Sequence, residues 1–201
     1  MQIIEKTYKW KNGLTKRNRT DYIILHHMAG NGSADDIHRI HLGNGWTGIG
    51  YHFYVRKDGS IYRGRPIDTV GAQCSNYNSI SIGVCFEGNY ETESVMPDAQ
   101  KKAGQEIVAY LKEMYPSAYV KQHKNFNSTA CPGKNFPFDE INNGAPKVTP
   151  VPQELTSVND IVWELNHRGI ITDIDLWLNK LKEDINAYWL ARKCANMTVN
   201  K

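Results

Sequence analysis

Three prolines within seven residues, Pro146, Pro150 and Pro152, cut this chain in two. A proline ring fixes φ and removes an amide donor, so neither a helix nor an interior strand runs through such a segment. Residues 144–154 are therefore expected to be an extended, semi-rigid connector. It separates a domain over 1–143 from a small module over 155–201, and 201 residues are enough for that pairing.

Composition narrows the class. With 40% apolar and 22% charged residues the chain reads as a soluble globular protein. No stretch approaches the roughly 18–20 unbroken apolar residues that span a bilayer, so no membrane insertion is expected. The opening residues, Met1 to Lys11, have neither the apolar core nor the small-residue cleavage site of a signal peptide. The expectation is a protein made and first held in the cytoplasm, where its four cysteines, Cys74, Cys85, Cys131 and Cys194, stay reduced. A net charge of +3 with no basic run of five argues against nucleic acid as a partner. From Lys147 onward seven basic and seven acidic residues cancel, so the excess charge lies in the first part. A mildly cationic domain suits an anionic polymer such as a bacterial wall.

The first part alternates strand and helix signals. Tyr22–His27 reads as a buried strand. Ser33, followed by Asp35 and Asp36, caps a helix running to about Leu42. A hairpin is expected over residues 52–63, with Asp58-Gly59 as its tight turn. Residues 79–87 form another strand. Pro97 opens a long helix to about Tyr115, with Ile107, Val108, Tyr110, Leu111 and Met114 on its apolar side. Residues 119–123 form a last short strand. Strands mixed with helices predict an α/β class, a central mixed sheet flanked by helices. The tail is expected to be all-helical. Ser157 caps a first helix that stops at Gly169, and a second from Thr172 carries Trp177, Leu181, Ile185, Tyr188 and Trp189 at helical spacing.

Three separated residue groups carry metal chemistry. His26 and His27 end the first strand, His123 ends the last, and Cys131 closes the loop that follows, before Pro132-Gly133. Two imidazoles and one thiolate suit zinc, and three protein ligands leave a position open for water, as catalytic sites do. Each residue alone has a plainer account. A strand histidine is commonly a hydrogen-bonded core residue, and a cysteine before proline a small buried hydrophobe. Consecutive strand residues face opposite sides, so only one of His26 and His27 can serve a given site. The remaining histidines carry less: His38 and His41 are expected on an exposed, solvated helix face, and His52 in the core.

The motifs Ile23-Ile-Leu-His-His-Met-Ala-Gly30, Gly48-Ile-Gly-Tyr-His-Phe-Tyr-Val55, Asp58-Gly59, Asn78-Ser-Ile-Ser-Ile-Gly-Val84 and His123…Cys131-Pro132 occur in this order. Together they resemble the zinc N-acetylmuramoyl-L-alanine amidase family, over roughly residues 18–140. That family includes amidase-type phage lysozymes, bacterial autolysins and animal peptidoglycan-recognition proteins.

The resemblance implies the amidase/peptidoglycan-recognition fold with one catalytic Zn²⁺ in a cleft, held by His26, His123 and Cys131. It implies hydrolysis of the amide between the lactyl group of N-acetylmuramic acid and L-alanine in peptidoglycan by a zinc-bound water, whose pKa such a metal lowers to about 7. Tyr51 matches the family's catalytic tyrosine. Thr129 stands where some phage members carry a lysine and others threonine. Recycling-type relatives place a glutamate base where this chain has Cys85. Glu87, two residues on and on the same strand face, is the candidate contributor, and the difference favours the phage or autolysin type.

The tail resembles C-terminal modules of endolysins from phages of clostridial hosts, which implies wall binding; self-association is the other role expected of so small a module. The reading is a phage-type endolysin, released from the cytoplasm to cut the wall. Its rivals are a non-catalytic peptidoglycan-binding protein and a cytoplasmic muropeptide-recycling amidase.

Overall fold

A computed structural model of the chain describes residues 1–144 together with Val162, Asn166 and Trp177. The chain divides into two units, Met1–Pro146 and Lys147–Lys201. In the second, Val162, Asn166 and Trp177 are each helical, and Val162 is buried. The rest of the two helices expected in the tail, and the connector beyond Gly144, lie outside the described residues.

The first unit is built on a mixed six-stranded sheet. Its strands are β1 (Ile3–Ile4), β2 (Tyr22–His27), β3 (Phe53–Val55), β4 (Ile61–Arg63), β5 (Ser81–Phe86) and β6 (Tyr119–Gln122). In space they run β1-β4-β3-β5-β2-β6. Only β3 and β4 are antiparallel; β2 pairs in parallel with both β5 and β6. The expected α/β class holds.

Local chemistry explains the elements. β2 and β5 are central and buried, and they read as continuous apolar runs because both faces are covered. The β3–β4 hairpin turns at Asp58-Gly59, where Gly59 adopts φ +86 and the Arg56 amide donates to Ser60 O at 2.9 Å. Helix α1 (Ala34–Gly43) opens with a reciprocal capping box: Ser33 Oγ accepts from Asp36 N and Asp36 Oδ2 from Ser33 N. Helix α2 (Asp98–Met114) starts after Pro97, and a short α3 (Phe138–Asn143) follows the cysteine loop.

Strand alternation sorts the core. Ile23, Leu25, Phe53, Val55, Ile82, Val84 and Phe86 pack under Ile107, Val108 and Leu111 of α2 and Ile141 of α3. On the other face Tyr54 and Cys85 pack with Ala34 and Ile37 of α1 and with Ile49. The β1 strand, pairing with β4, was not anticipated; two residues carry too little periodicity to announce it.

His38 and His41 correct an expectation. Both are buried, not solvated, and each Nδ1 accepts a backbone amide, from Ile49 at 3.1 Å and Gly50 at 3.0 Å respectively. Ala34, Ile37, His38 and His41 recur at i, i+3, i+4, i+7, so the buried stripe was there to be read with histidines in apolar places. They staple α1 to the segment that enters β3 through Tyr51. His52 is in the core as expected: its Nδ1 accepts from Gly83 N at 3.0 Å and its Nε2–H donates to Thr69 O at 2.8 Å.

Candidate metal centre

Parallel pairing places the candidate ligands. Register sets His26 opposite Cys85 across β2–β5 and Leu25 opposite Gln122 across β2–β6. His123, the next residue after Gln122, therefore emerges beside His26, with ring centroids 4.5 Å apart. Both stand at the carboxyl ends of parallel strands, where open α/β sheets place their ligands.

The loop after β6 then returns Cys131 to the same point. A one-turn helix over His123–Asn125 starts it, and Lys124 N donates to Cys131 O at 2.9 Å across its neck. Thr129 Oγ1 accepts from Cys131 N at 3.2 Å, so Thr129 shapes this turn and is itself exposed. Gly133 follows at φ +103, tight against the backbone of Tyr90 and Glu91.

Cys131 Sγ lies 3.7 Å from His26 Nδ1, and one donor atom from each of His26, His123 and Cys131 falls within 4.8 Å of the others. Ligand bonds of roughly 2.0–2.3 Å set tetrahedral donors about 3.5 Å apart, so the His26–Cys131 pair already stands near the spacing one small cation needs, with a His123 donor close beside it. The donor set of two nitrogens and one sulfur suits zinc, and the residues fit the ion.

His27 points to the other sheet face, where its Nδ1 accepts from Tyr90 N at 3.0 Å. Alternation admits only one of the two to this face, and His26, the one the resemblance implies, is the one beside His123 and Cys131.

Burial, with the His123 ring beside it, pulls the His26 pKa down to about 3, and burial lowers His123 as well. Both imidazoles are thus neutral and able to donate lone pairs at neutral pH. Burial pushes the Cys131 thiol up to about 11, so a bound cation must displace its proton. Among the described residues the three cysteines are free thiols.

The Tyr51 ring lies 5.1 Å from the His26 ring. Burial, then the nearby Cys85 and Cys131, hold its phenol far above the ordinary value, and its hydroxyl hydrogen-bonds with the Cys85 thiol. It stays protonated and is a donor, not a base.

Glu87 is a correction. Its carboxylate accepts from Arg56 Nε at 3.1 Å, Lys57 N at 3.0 Å and Gly32 N at 3.2 Å. Those bonds hold it below the usual carboxylate range against the upward pull of burial. It joins the end of the hairpin to the loop before α1, so its place is structural. Sharing a strand face with Cys85 does not bring it to the ligands, because the chain has left the strand at Phe86.

Two residues that sequence reading missed touch the ligands. The Gln73 side-chain carbonyl hydrogen-bonds His26 Nε2, and Asn127 Oδ1 lies 3.0 Å from His123 Nε2. Neither sits in a periodic element, and an amide in a loop gives no signal of its own.

A three-donor cluster at the carboxyl ends of parallel strands, with a protonated phenol beside it, could hold a hydrolytic metal ion. Comparison with known proteins makes the class specific. The model of the N-acetylmuramoyl-L-alanine amidase family matches residues 16–134, and the chain belongs to that family. It is 35% identical over 126 residues to the endolysin of Klebsiella phage KP32, covering 59% of this chain and 83% of that protein. It is likewise 35% identical over 137 residues to peptidoglycan-recognition protein SC2 of Drosophila melanogaster, covering 62% and 73%. Among solved structures, N-acetylmuramoyl-L-alanine amidase LysC from Clostridium intestinale superposes with a TM-score of 0.68 at 39% identity, over 70% of this chain and 95% of that one. The amidase/peptidoglycan-recognition fold expected from the motifs is the fold observed.

Proposed function

We propose that this protein is a phage-type endolysin, a zinc-dependent N-acetylmuramoyl-L-alanine amidase that cuts peptidoglycan between the lactyl group of N-acetylmuramic acid and L-alanine. One observation carries the reading: the His26 and Cys131 donor atoms stand 3.7 Å apart, with a donor of His123 within 4.8 Å of both. Family membership and the endolysin relatives support the substrate class.

When bound by His26, His123 and Cys131, zinc supplies Lewis-acid polarisation of the amide carbonyl and an acidified water. The reaction consumes one water: its oxygen joins the lactyl carbonyl carbon, the C–N bond breaks, and the amine of L-alanine leaves with a proton. Tyr51, protonated at working pH, donates to the oxygen on which charge develops. Thr129 holds the Cys131 turn, and its exposed hydroxyl has a proton to offer the glycopeptide. The buried imidazoles present lone pairs without competing protonation.

The tail is proposed to tether the enzyme to the wall, raising its effective concentration on an insoluble polymer, or to join two copies. Synthesis in the cytoplasm followed by release to the wall completes the proposal.

Turbidity of purified cell walls tests it. Clearing should stop on chelation and resume with added zinc, with new free amino groups appearing in step. Cys131→Ala should lose both bound zinc and clearing while keeping its circular dichroism. Clearing that survives exhaustive chelation, or that releases reducing sugar ends instead of amines, overturns the reading.

A further inference from the structure

We infer that Gln73 and Asn127 are positioning residues that fix both histidines in one tautomer, with the proton on Nε2 and the lone pair on Nδ1. The inference rests on the metal-site reading above and concerns a different property, the state of the ligands before any ion arrives.

Groups that can only accept orient the Gln73 amide. Tyr77 O is a backbone carbonyl, and Ser81 Oγ lies 2.7 Å from it, so the serine hydroxyl donates there. Ser81 Oγ has then spent its proton and accepts from Gln73 Nε2 at 2.8 Å. That orients the Gln73 amide, leaving its carbonyl oxygen toward His26 Nε2. A carbonyl cannot donate, so His26 must carry its proton on Nε2. Nδ1 keeps its lone pair, and it is Nδ1 that lies 3.7 Å from Cys131 Sγ.

His123 is governed by the same logic from a second anchor. Asn127 Nδ2 faces two carbonyls, Phe126 O at 3.2 Å and Ser75 O at 3.5 Å, so its oxygen is turned to His123 Nε2 at 3.0 Å. The Cys74 thiol, 3.2 Å from the same oxygen, donates as well. Nδ1 of His123 is again the free donor.

Both chains of bonds converge on one loop. Gln73 governs His26, and Cys74, its neighbour, braces the amide that governs His123. Asn78 Oδ1 accepts from the amides of both, Gln73 N at 2.8 Å and Cys74 N at 2.9 Å. Gly83 leaves the room: a Cβ there would lie 2.6 Å from Gln73 Cγ. The partners are neutral amides, so they set direction without adding negative charge to the site.

Long-range ¹H–¹⁵N spectra of the metal-free full chain near neutral pH read the tautomers directly. Wild type should show Nε2–H for both His26 and His123, and an Nδ1–H form at either refutes the inference. Gln73→Leu, close in shape but without an acceptor, should release His26 to a tautomer mixture and weaken zinc binding about 10–100-fold by chelator competition. Gln73→Glu keeps an acceptor, with the Ser81 hydroxyl free to rotate to its second oxygen, and should hold the tautomer and bind zinc at least as tightly as wild type. Asn127→Ala against Asn127→Asp repeats the comparison for His123 at a half-buried position that tolerates change, should Gln73→Leu not fold. Equal losses in the acceptor-bearing and acceptor-lacking variants, or none in either, overturn it. A wild type with these tautomers but no affinity for zinc would sink the proposed function and leave this inference standing.

Discussion

His26 Nδ1 and Cys131 Sγ stand 3.7 Å apart although 105 positions separate them in the chain. Two unrelated devices produce that approach. Parallel pairing of β2 with β6 delivers the histidine, and a tight loop closed over Thr129 and Gly133 folds the cysteine back.

Tyr51 is expected to act only as a donor. Tyr51→Phe should bind zinc normally and keep its fold while losing about 10²–10³ in kcat, the usual cost of one oxyanion donor. A variant that clears walls at the wild-type rate would remove Tyr51 from the mechanism.

Glu87 should behave as a strut. Its carboxylate holds Arg56, Lys57 N and Gly32 N, so Glu87→Gln should cost about 1–3 kcal/mol of stability in urea unfolding. Activity should fall by less than tenfold, against the roughly 10²–10⁴ that loss of a general base costs. A large loss of kcat with unchanged stability would restore it to catalysis.

Acid should destabilise the metal-free protein at a pH set by its histidines. Burial holds His26 and His52 near 3, where a free imidazole titrates near 6.5. Between those values the unfolded chain binds more protons than the folded one. Stability is therefore complete above about pH 6.5 and is lost as pH falls toward 3. At pH 5 each of the two withdraws about 2 kcal/mol relative to pH 7. Urea midpoints measured at both pH values with chelator present check this; identical midpoints contradict it.

Gly133 should be irreplaceable. An added Cβ would lie 2.2 Å from the Tyr90 carbonyl carbon at a backbone φ of +103. Gly133→Ala is expected to lose about 1–3 kcal/mol to backbone strain and to displace the Cys131 turn. Thermal unfolding and zinc titration should both register it, and a variant equal to wild type in each would show that the loop relaxes freely.

Much of the site was legible because its ligands sit in recognisable contexts. His26 ends an apolar strand run, and His123 and Cys131-Pro132 bracket a loop, in the order the amidase family uses. The hairpin at Asp58-Gly59 and the Ser33 cap were readable from turn and capping chemistry alone. Glu87 misled because strand alternation assigns a face but not a distance, and its neighbours Arg56 and Gly32 come from elsewhere in the chain. His38 and His41 misled because a histidine scores as polar, although their spacing marked a buried stripe.

By itself the order of residues determined the local matters: which segments extend or coil, where they turn, and which side chains are candidates to hold a metal. These depend on near neighbours, and near neighbours are written in the chain. Only the folded sheet decided which nitrogen of His26 faces the cysteine. That choice belongs to Gln73, an amide 47 positions from His26 that reaches it only through the fold, while Asn127, four positions from His123, is oriented by Cys74 and Ser75 from a distant loop.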